Sequence, residues 1–135
     1  MPKLVVFACV HNAGRSQMAA ALFNHLANTD LARAISAGTA PAARVHPEVV
    51  VVMQELGIDL RHVTPTKLTA ELAAGAFLLV TMGCGEACPT VPGVRREDWP
   101  LADPKGLAIE SVRAIREQVR VRVLDLLARE RLAPA

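Results

Sequence analysis

The chain has no tyrosine, one tryptophan and three phenylalanines, so aromatic residues make up only 3% of its 135 positions. Stacking surfaces for bases or aryl rings are therefore scarce. With hydrophobic residues at 52%, the core is expected to be built from Val, Leu, Ile, Ala and Met. A strong charge of either sign is missing too, the net charge being +2. That balance argues against a nucleic-acid surface. No apolar run approaches the ~20 residues of a membrane span. Met1-Pro2-Lys3 opens without the apolar stretch of a secretory signal. Cysteine is sparse and odd in number, at three. Such usage does not fit a disulfide framework and suits catalytic or redox thiols. Repeats, low-complexity tracts and linkers are lacking as well. The expectation is one cytoplasmic domain over residues 1–135, monomeric, with no nucleic-acid or membrane partner.

The patterning that is present alternates strand and helix. Lys3 to Ala8 reads as a buried parallel strand. Ser16 to about Ala27 reads as a helix carrying Met18, Leu22 and Leu26 on one face. A short strand is expected over Arg33 to Ala37. Pro47 opens a second helix, whose stripe is Val49, Val52, Met53 and Leu56 and whose Schellman stop lies at Gly57-Ile58. Leu68 to Ala74 reads as a short helix, Phe77 to Val80 as a third strand, and Gly83 to Pro89 as a loop or short helix. Val94 to Asp98 is expected at a sheet edge. The long helix Ile109 to about Arg131 turns Val112, Ile115, Val119, Val123 and Leu126 inward, with an Arg113–Glu117 pair on its wet face. This order implies an α/β three-layer sandwich, an about four-stranded parallel sheet flanked by helices. Ligands in such sheets lie beyond the C-terminal strand ends. Cys9, Cys84 and the Asp98–Asp103 segment each follow an expected strand, so all three can meet at one edge.

Between the first strand and first helix stands Cys9-Val10-His11-Asn12-Ala13-Gly14-Arg15-Ser16. A cysteine and an arginine bracketing a loop that enters a helix can hold a tetrahedral oxyanion over a thiolate. Backbone N–H groups of Val10, His11, Asn12, Ala13, Gly14, Arg15 and Ser16 would face the anion. Arg15 can clamp two of its oxygens, and the positive field favours the thiolate form of Cys9. Asn12 and Gly14 tolerate left-handed or crowded backbone. Ser16 can cap the helix and donate to the thiolate. The competing reading is a buried structural cysteine and an exposed arginine; the context of the loop weighs against it.

Cys84 and Cys88 stand at i,i+4, about 6 Å apart at Cα if helical, which a disulfide can span. Gly83, Gly85 and Pro89 around them favour a segment that can unwind. Two small buried residues and a zinc site are the alternatives, but the cysteines lack the paired spacing of zinc modules. A redox pair fits best, with no metal and no cofactor. An oxyanion reaction also needs a proton donor for the leaving oxygen. Asp30, Asp59, Asp98, Asp103 and Asp125 are available; Asp103 precedes Pro104, which by itself reads as an ordinary Asp-Pro turn, and Asp98 stands beside Trp99 as a further candidate. His11 is expected to face solvent, His46 to be structural, Arg95-Arg96 to be a solvated face, and Arg61 to pair with Asp59 at the surface.

The loop Cys9 to Ser16 resembles the anion loop of the low-molecular-weight protein tyrosine phosphatase fold. Its extension through Gln17-Met18-Ala19 is more similar to the arsenate reductases of that family. The likeness continues through Ser36-Ala37-Gly38-Thr39, His46-Pro47-Glu48-Val49, Leu56-Gly57-Ile58-Asp59, Thr81-Met82-Gly83-Cys84 and Asp103-Pro104. It implies that Cys9 attacks arsenate, with phosphate and sulfate as competing anions, and that Asp103 is the acid. Cys84 then forms a disulfide with Cys9 as arsenite leaves, Cys88 resolves it to Cys84–Cys88, and thioredoxin restores the thiols. The gap between Cys84 and Cys88 is shorter than in the better-known thioredoxin-coupled members and resembles a shorter-loop subgroup. The residues alone leave two alternatives: a phosphatase using Cys9, Arg15 and Asp103, and a thiol sensor or arsenite-binding module.

Overall fold

A computed structural model describes residues 2–83, 88 and 91–134. Strand β1 (Lys3–Cys9) leads through residues 10–14 into helix α1 (Arg15–Leu26). Then come β2 (Ala32–Gly38), α2 (Pro47–Gln54), the short α3 (Ala70–Ala73), β3 (Leu78–Thr81), β4 (Arg95–Asp98) and the long α4 (Ile109–Arg129). The strands form one sheet in the order β2-β1-β3-β4, and the three pairings are all parallel. The expected strands and helices are present, with ends shifted by one or two residues except at α2, which stops at Gln54; the loop or short helix expected over Gly83 to Pro89 lies outside the described residues apart from Gly83 and Cys88. Pro47 occupies the first turn of α2, as its fixed φ and missing N–H allow. The Ile58 and Gly57 N–H groups close the expected Schellman bonds to Met53 (3.1 Å) and Gln54 (2.9 Å). Leu68 precedes α3 rather than joining it; Thr69 caps that helix, accepting from the Leu72 N–H.

The period of two along β1 divides the core into layers. Val5, Phe7 and Cys9 face the larger cluster, filled by Met18, Leu22 and Phe23 of α1, Val49, Val52 and Met53 of α2, and the expected stripe of α4. Val6 and Ala8 face the smaller cluster with Leu79, Leu68 and Cys88. Aromatic scarcity misled one expectation. Phe7, Phe23 and Trp99 are among the largest fully buried side chains, with ring centroids 6.0 and 5.4 Å from Phe7. The few rings present are spent on the centre of the larger layer, where they fill most volume per residue.

Two surface expectations are also corrected. Arg113 does not pair with Glu117; its guanidinium binds Glu55 of the α2 C-terminus through Nη2 at 2.8 Å and Nε at 3.0 Å. Two-point contact between neighbouring helices wins over a flexible pair along one helix. Glu117 is taken by Arg116 at 2.9 Å. Arg95 is not simply solvated: it pairs with Glu130 at 2.9 Å and lies over the Phe77 ring. The Asp59–Arg61 surface pair is present at 2.9 Å, and the guanidinium hydrogen bond holds the Asp59 carboxyl down to about 2.

Candidate active site

Residues 9–14 follow β1 as a loop whose carbonyls are turned outward. Those of Cys9, Val10, His11 and Ala13 accept from the N–H groups of Thr39, Ala40, Ala42 and His46 at 2.8–3.1 Å. The Asn12 carbonyl accepts from Gln17 Nε2 at 3.0 Å, and the Gly14 carbonyl begins α1 by accepting from Met18. With its carbonyls engaged in this way, the loop runs into the N-terminus of α1, where the first helical N–H groups and the positive end of the helix dipole lie. Asn12 makes the turn with φ +50°, in the left-handed region that asparagine tolerates. Gly14 allows a close approach: a Cβ there would stand 2.7 Å from Pro104 Cγ. That contact seats the Asp103-Pro104 turn against the loop.

The Cys9 thiol is a free cysteine, only 2% exposed, with Sγ 2.8 Å from Ser16 Oγ. Either atom can donate in this bond, and its neighbours show what Ser16 has left to offer. The Thr66 backbone N–H can only donate, and it reaches Asn12 Oδ1 at 2.9 Å; Gln17 Nε2 reaches the same oxygen at 3.1 Å. The Asn12 amide is thereby fixed with Nδ2 toward Ser16 Oγ at 2.8 Å. Ser16 accepts from Asn12, and its hydroxyl hydrogen remains free to be given to sulfur. A hydrogen-bonded relay thus runs from Thr66 and Gln17 through Asn12 and Ser16 to Cys9, able to donate to a thiolate there. Ser16 lies against the thiol but does not cap the helix. The N-cap is Gly14, without a side-chain cap bond, and Ser16 lies within the first turn.

Arg15 is 8% exposed. Its Nη1 donates to the Leu101 carbonyl at 3.0 Å, and its Nη2 stands 3.7 Å from Asp103 Oδ2. Asp103 is held in its turn by the Lys105 N–H at 3.0 Å, with a side chain 45% exposed. The runner-up acid, Asp98, is occupied at the end of β4 by the Thr81 hydroxyl at 2.8 Å. The loop after β1, the end of β3 at Gly83 and the segment after β4 therefore meet at Arg15, at one edge of the sheet. Cys84 and its expected pairings with Cys9 and Cys88 lie outside the described residues. Cys88 is 3% exposed and is not a free thiol. It packs with Val6, Ala8 and Leu79, on the opposite face of the sheet from Cys9.

The sequence pattern overlooked three contributors: Gln17 and the Thr66 N–H, which orient Asn12, and the Leu101 carbonyl, which anchors Arg15. Gln17 left one trace, a long polar side chain just before the apolar run Met18 to Phe23 of the first helix. The other two are backbone groups that any residue would supply. His11 is half-buried, and its Nδ1 lies 3.2 Å from the Ala40 carbonyl, where only a protonated nitrogen can serve. Among the described residues, no group of three or more His, Cys, Asp or Glu side chains could hold a metal ion. Nor is any described helix long and apolar enough to cross a membrane.

His46 lies beside Gly14 on the loop's outer wall. Burial lowers its pKa from 6.5, against the pull of Asp103 and Glu48 and with Lys105 and His11 acting in the same direction as burial. The folded pKa lies below the unfolded one, so the neutral ring stabilises the fold fully above 6.5. That contribution is lost as pH falls through 6.5 toward the folded value. In melts across about pH 5 to 8, His46→Asn should flatten the acid-side loss of Tm. An unchanged acid slope in the variant would refute this assignment.

The pattern of the family described as low molecular weight phosphotyrosine protein phosphatase matches residues 4–133. A putative arsenate reductase of Halobacterium salinarum is 40% identical over 124 residues, 89% of this chain and 87% of that protein. A glutaredoxin arsenate reductase of Synechocystis is 34% identical over 94% of this chain and 98% of that protein. Among solved structures, the thioredoxin-dependent arsenate reductase of Corynebacterium glutamicum superposes with a TM-score of 0.79 at 35% identity. The match covers 94% of this chain and 61% of that longer one. By the match over residues 4–133, the chain belongs to the low molecular weight phosphotyrosine protein phosphatase family.

Proposed function

We propose that this enzyme reduces arsenate to arsenite, with Cys9 as nucleophile and a thioredoxin-class protein dithiol as the final reductant. The observation that carries the reading is the donor relay ending on Cys9 Sγ at 2.8 Å, with Arg15 and Asp103 on the same mouth. In the first step the Cys9 thiolate attacks arsenic(V). A sulfur–arsenic bond forms, an arsenic–oxygen bond breaks, and one arsenate hydroxyl leaves as water with a proton from Asp103. The N–H groups from Val10 to Ser16 and the Arg15 guanidinium carry the charge of the remaining oxygens. The Cys84 thiolate then attacks Cys9 Sγ. A Cys9–Cys84 disulfide forms, the sulfur–arsenic bond breaks, and its electron pair reduces arsenic to the +3 state. Cys88 attacks Cys84, frees the Cys9 thiolate and leaves Cys84–Cys88 for reduction by the external dithiol.

The oxyanion loop by itself serves phosphate esters too, and the family pattern is that of phosphatases. Phe7, Phe23 and Trp99 are in the core. Phe77 lies just before β3, at the far end of the strands, under Lys3 and Arg95. No ring remains to stack an aryl phosphate, which favours a small inorganic oxyanion. Arsenate and phosphate have nearly the same shape and charge, so discrimination comes from the chemistry: thiols reduce arsenic(V) and leave phosphorus unreduced.

The test is arsenite release with NADPH, thioredoxin reductase and thioredoxin, compared with glutathione and glutaredoxin. The relatives divide between these two reductants. Turnover is expected with thioredoxin. Cys84→Ser and Cys88→Ser should each lose it by at least about a hundredfold while retaining slow phosphate-ester hydrolysis. Normal thioredoxin-driven turnover in both variants would exclude the cascade, and turnover with glutaredoxin alone would replace the partner.

A further inference from the structure

We propose that Gly83 is a positioning residue for the oxyanion clamp: the absence of a side chain there forms the slot that holds the Arg15 guanidinium. The inference rests on the reading of Arg15 as the clamp. A Cβ built on Gly83 would stand 2.4 Å from Arg15 Nη1, 3.1 Å from Cζ and 3.4 Å from Nη2. The first of these atoms donates to the Leu101 carbonyl at 3.0 Å, and the third faces Asp103 at 3.7 Å. The guanidinium is thus bounded by Leu101, Asp103 and the Gly83 backbone, and Arg15 is only 8% exposed. A methyl group at 83 cannot share this space. The group that must yield is the end of a long side chain, so the fold can absorb the clash while the clamp moves out of register. Two-oxygen recognition by arginine depends on the orientation of its planar fork.

Gly83 also has φ +87°, so any substitution pays a backbone cost as well as a steric one. The protein contains its own control for the backbone term. Gly106 has φ +74° and nothing within 4 Å of its Cβ position. Gly106→Ala therefore pays for the left-handed backbone alone. Gly83→Asn is the converse, since asparagine tolerates the backbone but fills the slot. Gly83 precedes Cys84 by one peptide bond, so one wall of the anion clamp and the expected second nucleophile are adjacent in the chain.

The experiment is calorimetric titration of the full-length chain with inorganic phosphate, alongside thermal melts. Gly83→Ala and Gly83→Asn should each weaken phosphate binding by about tenfold or more. Gly106→Ala should bind within about twofold of the unmodified chain even if its Tm falls. In steady-state assays, the KM for arsenate should rise in the Gly83 variants by a larger factor than kcat falls. A folded Gly83→Ala with unchanged phosphate affinity overturns the slot. Equal losses in Gly83→Ala and Gly106→Ala also overturn it, by assigning the effect to backbone strain. Failure of the slot leaves the clamp itself standing if Arg15→Lys still weakens binding. Failure of the unmodified chain to bind phosphate would instead undo the underlying reading of the site.

Discussion

Cys9→Ser should stop both chemistries of this site, arsenite release and phosphate-ester hydrolysis, each by a factor on the order of 10⁴ or more. The argument rests on the relay rather than on the presence of a cysteine. Thr66 and Gln17 fix Asn12, Asn12 donates to Ser16, and the Ser16 hydroxyl lies 2.8 Å from Cys9 Sγ. That series of bonds leaves the Ser16 hydrogen available to a thiolate at position 9. A serine hydroxyl at position 9 would remain protonated, because its pKa lies far above that of a thiol, so the loop would keep its shape and lose its nucleophile. The variant should therefore still bind phosphate, since the nest of N–H groups and Arg15 are untouched. Arsenite measured by elemental mass spectrometry and p-nitrophenol release give the two rates. Their joint loss with phosphate affinity retained is the expected pattern. Appreciable survival of either rate would mean that another residue attacks, and would remove Cys9 from that reaction.

The contrast with the Cys84 and Cys88 variants separates the two halves of the mechanism. In the proposed mechanism, anion capture and covalent attack rest on Cys9, Arg15 and Asp103, whereas electron transfer rests on the other two thiols. In the described residues Cys88 packs against the face of the sheet opposite Cys9. The proposed cascade thus requires Cys84 to carry the oxidised sulfur from one face to the other. A direct Cys9–Cys88 exchange is disfavoured by the same placement.

What the sequence disclosed and what it concealed divide along a physical line. The apolar run through Val5-Val6-Phe7-Ala8 and the spacing of Val112, Ile115, Val119, Val123 and Leu126 are local, and the buried strand and the inward stripe formed as read. The loop from Cys9 to Ser16 was legible because its special residues sit within one turn of each other. Asn12 takes the left-handed backbone and Gly14 the close approach. Partners far apart in the chain were not legible. Arg113 has an acidic neighbour four residues on, yet it binds Glu55, 58 residues away, because α2 lies alongside α4. Ser16 had the chemistry of a cap, but its hydroxyl is claimed by Asn12 and Cys9 once the loop closes. The Thr66 N–H and the Leu101 carbonyl are backbone groups and leave no mark in composition. Gly83 looked like a hinge beside a cysteine; only the placement of Arg15 reveals a slot.

Asn12→Ala should cost about 3 kcal/mol of folding stability, an unusually large loss for one polar residue in a loop. Asn12 is wholly buried, donates to Ser16 and accepts from Gln17 and Thr66, all within 2.8–3.1 Å. Truncation leaves three polar groups short of a bond in a confined place, each worth about 1 kcal/mol or more, though not additively. Alanine at φ +50° adds about 1 kcal/mol of backbone strain. Urea unfolding of Asn12→Gly separates the terms: glycine relieves the strain but not the lost bonds, so it should recover about 1 kcal/mol. The catalytic consequence is independent of stability. Without the Asn12 donor, Ser16 can turn its hydrogen elsewhere, and the relay onto Cys9 is broken. Alkylation of Cys9 by iodoacetamide, followed by mass spectrometry under conditions where each variant is fully folded, reports this directly. A slower rate in both Asn12→Ala and Asn12→Gly is expected if the relay stabilises the thiolate. An unchanged rate in both would leave Asn12 a structural pin for the loop and nothing more.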